Sequence, residues 1–201
     1  MNTASSLKHA ALGCAILLGA AAPSLAATVT VKFDNPIFNG VTNPESVVVN
    51  ISYPKQNGLG SASATVAAGR FQGRITSPLN GIDPGIFVDS PNHLFMYCYD
   101  LYEHIGPNWE VNYEIDFAGE SDRTRDFLGA VNSVLNQGKT GGQYDKFAWL
   151  HPADGYIAAA VQLGIWESKY EDESTWDISN GAFHAIAGGN TSLHLSSFFG
   201  A

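Results

Sequence analysis

Residues 154–170 read DGYIAAAVQLGIWESKY, and their spacing decides the fold class. Ala158, Ala159, Ala160, Leu163 and Ile165 support a helix, and Ala and Leu are strong helix formers. His151-Pro152 stand just ahead of the run. A second helix is predicted over 122–137 (DRTRDFLGAVNSVLNQ), with Phe127, Val131, Val134 and Leu135 at helical spacing, Ser121 as N-cap and Gly138 as stop. The chain ahead of these helices has a period of two. Residues 27–33 (ATVTVKF) alternate Val29, Val31 and Phe33 against Thr28, Thr30 and Lys32. Further strands are expected over 45–52, in two weaker runs around Gly69, and over 85–89, 93–102 and 109–117. Pro36, Asn39-Gly40, Pro54, Asn80-Gly81 and Pro84-Gly85 separate them as turns. Beyond Glu171 the chain reads as loop, with short apolar pieces at 181–187 and 192–199. The expected class is therefore α+β: an antiparallel β-sandwich or barrel with a helical insertion that carries the helix of Gln162. One domain is expected over 27–201, with strands in 27–117 and the helical part in 121–170.

Residues 1–26 have the parts of a secretory signal: Lys8 ahead of an apolar run at 10–22, then Pro23 and small residues up to Ala26. The run falls short of the about 20 residues that span a bilayer, and no later stretch reaches that length. The chain is thus expected to be exported, secreted or held at the cell surface, with no transmembrane segment. Its net charge of −9 becomes −10 once Lys8 leaves, which excludes a phosphate-neutralising nucleic-acid binder. Charged residues make up 14 %, against roughly 25 % in ordinary soluble domains, so the surface is carried by Ser, Thr, Asn and Gly.

Cysteine usage gives the sharpest clue. Cys14 departs with the signal, so Cys98 stands alone in an oxidising setting and has no intramolecular disulfide partner. It lies within Tyr97-Cys98-Tyr99-Asp100, in an apolar run. The second anomaly is Gln162, a carboxamide surrounded by Ala158, Ala159, Ala160, Val161, Leu163 and Ile165. Burying a carboxamide costs several kcal/mol (about 2–7) unless its donors and acceptors are met. The bland alternative makes Cys98 and Gln162 separate core residues.

Together the two islands resemble a family of exported bacterial thioester-domain proteins. These pair a Cys in an aromatic-Cys-aromatic strand with a Gln in a Gln-x-Ala/Gly-Ile-Trp helix. The matching residues are Tyr97-Cys98-Tyr99 and Gln162-Leu163-Gly164-Ile165-Trp166-Glu167. The likeness covers roughly 94–170 and is greatest to members that carry a Pro-Glu-Pro sorting tail. It implies an internal thioester between the Cys98 sulfur and the Gln162 carbonyl carbon, formed with release of ammonia. Tyr97, Tyr99, Asp100 and Trp166 would shape or shield that bond. It implies covalent capture of an amine- or hydroxyl-bearing surface protein or polysaccharide, once per molecule, without turnover, cofactor or metal. Adhesion at a cell surface or in an extracellular matrix is the expected setting. Val161 and Gly164 stand where the Gram-positive branch has Thr and Ala, and the chain ends in SSFFGA without the sorting tail, as a fragment or a released or non-covalently held protein would.

Two other readings compete. One is a non-covalent binding or matrix module of the same fold. The other is a Cys-dependent hydrolase, with His104, His151 or His184 as base and Asp100 or Asp154 as orienter. Catalytic cysteines favour helix N-termini, whereas Cys98 lies in a strand-like run. The histidines show no metal-ligand spacing, and Glu171-Asp172-Glu173 reads as a solvated face in preference to a calcium loop.

Overall fold

The computed structural model describes residues 27–42, 44–115, 121–171 and 175–201; the expected signal segment lies outside them. The class is α+β, with two antiparallel sheets and three α-helices among the described residues. Among the described residues neither sheet closes into a barrel. The chain divides into two compact units. Of the described residues, 27–37 and 72–115 belong to the first, and 38–71 and 121–201 to the second.

The first unit is built on strands β1 (Ala27–Phe38), β4 (Phe71–Ile75), β5 (Leu94–Met96) and β6 (Glu110–Ile115), in the order β5-β4-β1-β6. β1 and β6 run antiparallel, with Val29 opposite Tyr113 and Ala27 opposite Ile115. The alternation read from the sequence sets which face is buried. Val29, Val31 and Phe33 point inward, beside Tyr113, Ile115, Leu94 and Met96, while Thr28, Thr30 and Lys32 stay more exposed. Phe33 meets Tyr113 edge-on, with centroids 6.4 Å apart.

The second unit holds a three-stranded sheet, ordered β3 (Ser61–Ala68), β2 (Val47–Pro54) and β7 (His184–Ile186). Three helices accompany it: α1 (Asp122–Leu135), α2 (Gly155–Tyr170) and α3 (Gly189–Phe199). α2 packs against α1, α3, β2 and β3. Every residue from Ile157 to Ser168 is therefore buried, which explains why its sequence is apolar all round. Asp154 starts the helix: its Oδ1 accepts the N–H groups of Tyr156 and Ile157, both at 2.9 Å. Two glycines permit the packing. A Cβ on Gly155 would lie 1.7 Å from the Pro44 carbonyl oxygen, and one on Gly164 2.0 Å from Cζ of Phe127 on α1.

The structure corrects several sequence expectations. Residues 85–89 are no strand: Pro84–Ile86 form a 3₁₀ turn whose N-cap is Asp83, with Pro at its start. The strand expected over 93–102 is confined to Leu94–Met96, so Cys98 lies beyond its end. The loop expected after 171 holds β7 and α3. α3 carries Ser and Thr that masked its helical period; the hydroxyls of Ser196 and Ser197 turn back to carbonyls one helical turn earlier. Among the described residues no helix is long and apolar enough to cross a membrane.

Candidate functional site

After β5 the chain folds around a single oxygen. The Cys98 Sγ–H donates to the main-chain carbonyl of Asp100 at 3.1 Å, and the Glu103 N–H donates to the same oxygen at 3.1 Å. The Asp100 Oδ1 accepts the N–H of Tyr102 at 2.9 Å. These local bonds close a turn over 98–103 and engage the Tyr102 and Glu103 amides within it. Cys98 forms no disulfide among the described residues and is half-buried, as are Tyr97, Tyr99 and Asp100.

Tyr113 reaches this turn from β6. Its ring is buried, its hydroxyl bonds to the Glu103 carboxylate, and the Cys98 thiol lies within its electrostatic reach. Burial first, and then the negative charge of Glu103, push the phenol well above its ordinary range. The raised phenol donates its hydroxyl proton to Glu103 in this hydrogen bond. One oxygen of the Glu103 carboxylate, Oε1, is shut off from solvent.

Gln162 occupies the middle of α2, 1 % exposed, among side chains that are small or apolar. Trp166, one helical turn on, is equally enclosed and packs at 6.3 Å from Phe183. Its Nε1–H has no hydrogen-bond partner among the described residues. Cys98 and its neighbours thus belong to the first unit, and Gln162 and Trp166 to the second.

The same helix ends in buried acid that the sequence reading missed. Glu167 is 0 % exposed. Its Oε1 accepts the Asp177 N–H at 3.1 Å and faces the Arg123 guanidinium at 3.6 Å, while Oε2 has no hydrogen-bond partner among the described residues. Arg123 also donates to the Thr175 carbonyl and lies 4.0 Å over the Trp176 ring. Burial raises the Glu167 carboxyl to about 7, against the lowering pull of the Asp177 amide and Arg123. Glu171, one turn further, is buried too and accepts the N–H groups of Ala182 and Phe183. The acidic run at 171–173 is therefore not a solvated face at its first residue; Asp172 and Glu173 lie outside the described residues. The available signal was the helix itself: once all faces of α2 are apolar, any acid on it has to be paired inside.

The hydrolase candidates have their own places in the fold. His151 Nδ1 pairs with Asp145 Oδ2 at 2.6 Å, and Asp154 is engaged as the N-cap of α2. Burial alone would raise the Asp145 carboxyl, but the His151 and Phe147 hydrogen bonds outweigh it and hold it below its ordinary value. His184 sits on β7 and His104 is exposed. No protein-family model, curated protein or solved structure matches the chain.

Proposed function

We propose that this is an exported protein that captures a target covalently through an internal thioester between Cys98 and Gln162. The observation that supports it best is the carboxamide of Gln162, sealed at 1 % exposure in α2, whose residues from Ile157 to Ser168 are all buried. A carboxamide is a poor electrophile in water. In a dry interior, with a thiol delivered to it, exchange of nitrogen for sulfur yields a more reactive acyl group that water does not reach. A cysteine that has no disulfide among the described residues fits the same reading. Tyr97, Tyr99 and Asp100 would shape the thioester's sulfur side and Trp166 its acyl side.

The target would be an amine or hydroxyl on a surface protein or polysaccharide. Its attack on the carbonyl carbon makes an amide or ester and frees Cys98, so each molecule acts once and is not a turnover enzyme. Intact mass tests this. The purified wild type should lack one ammonia relative to its sequence mass, and Cys98→Ala should show the full mass of its own sequence. Wild type at full mass with a titratable thiol overturns the proposal.

A non-covalent module is favoured by one separate observation. A groove of about 480 Å³ crosses the second unit's sheet, lined by Asn50, Ser52, Ser63, Thr65, His184 and Ile186. The lining carries hydroxyl, carboxamide and imidazole groups without a carboxylate or a lysine, which suits a neutral, hydroxyl-rich ligand. Glycan binding that survives Cys98→Ala would support this reading.

A further inference from the structure

We propose that Glu103, positioned by Tyr113, is the base that takes the Cys98 proton when the thioester forms; this rests on the thioester reading above. An ordinary thiol ionises near 8.5, so at neutral pH only a few per cent is thiolate and attack on a carboxamide needs a proton acceptor. The oxygen that the Cys98 thiol bonds to is a main-chain carbonyl, which takes a hydrogen bond but not the proton. Two carboxylates hang on the same turn. That of Asp100 is engaged in closing the turn onto Tyr102. That of Glu103 turns toward the buried Tyr113 hydroxyl, and its backbone is held on the very oxygen that receives the thiol. Tyr113 lies in the field of both the thiol and the carboxylate. Because burial and Glu103 keep the phenol protonated, it donates, fixes the carboxylate and does not compete for the proton.

The step balances. The S–H proton moves to Glu103 as sulfur bonds to the carbonyl carbon of Gln162. The C–N bond then breaks, and Glu103 returns the proton to the departing nitrogen, which leaves as ammonia. No electron or proton is gained or lost overall.

The test starts from wild type unfolded in denaturant with ammonia, which returns the carboxamide and the free thiol. The chain is refolded by dilution and its intact mass is followed with time and pH. Glu103→Gln should lose ammonia ~100-fold more slowly or worse, the usual contribution of a positioned base. Its deficit should shrink as pH rises and solvent base takes over, which a merely structural defect would not show. Glu103→Asp and Tyr113→Phe should fall between. Equal rates for wild type and Glu103→Gln at all pH overturn the proposal; if Glu103→Gln does not fold, equal rates for the other two variants do so.

A second arm is independent of the bond. In Gln162→Met, which cannot condense, the pH midpoint of iodoacetamide alkylation at Cys98 should move lower when Glu103→Gln is added. A negative charge beside the thiol opposes the thiolate, and that charge has been removed. An unmoved midpoint overturns Glu103 as the thiol's partner. A wild type that never loses ammonia, with the midpoint shift present, overturns the thioester reading instead.

Discussion

Replacing Glu167 by glutamine tests the electrostatics at the end of α2. Glu167 is raised from 4.5 to about 7, chiefly by burial. Between these two values the native state holds a proton that the unfolded chain has released. Stability attributable to this group is therefore full below pH 4.5 and falls as pH rises toward 7, after which it is flat. A difference of this size, at 1.36 kcal/mol per pH unit, corresponds to about 3 kcal/mol. The carboxamide that replaces the acid carries no charge to desolvate, and its carbonyl still accepts the Asp177 N–H. Arg123 loses its ion-pair partner but keeps the Thr175 carbonyl and the Trp176 ring. The stability of Glu167→Gln minus that of wild type should thus climb by about 3 kcal/mol from acid to neutral pH, or very roughly 6–12 °C in Tm. Urea unfolding followed by tryptophan fluorescence across that window measures it. A difference that stays flat, or falls with pH, would show that Arg123 and the Asp177 amide hold the carboxylate charged, and the burial argument would be refuted.

Further outcomes follow from the packing. Gly164→Ala pushes a methyl into the Phe127 ring and should cost about 1–3 kcal/mol, with Phe127→Leu in the same chain recovering part of it in denaturant unfolding. Asp154→Ala removes the acceptor for two α2 amides and should cost about 1 kcal/mol by the same assay. Glu171→Ala frees the amides of Ala182 and Phe183, so hydrogen exchange there should quicken while the amides of α1 stay protected; unchanged exchange at Ala182 would show that Glu171 does not hold that segment.

Elements with a strong period were legible in the amino-acid order alone. The alternation of Val29, Val31 and Phe33 specified β1 and its buried face, and the Ala-rich run specified α2 to within a residue of its observed start. Ser121 marked a helix start because capping is local chemistry between a side chain and amides two or three residues on, the same chemistry by which Asp154 caps α2. What escaped depends on bonds that short-range patterns do not encode. Cys98 lies in a turn where the Asp100 carbonyl gathers its thiol and the Glu103 amide, and α3 was hidden because its serines look like loop until their hydroxyls bond back along the helix. Glu167 and Glu171 have the sequence of a solvated helix end. Only packing decided that they would be buried and would bind the amides of the segment at 177–183, because burial is a property of what surrounds a residue in space and not of its neighbours along the chain.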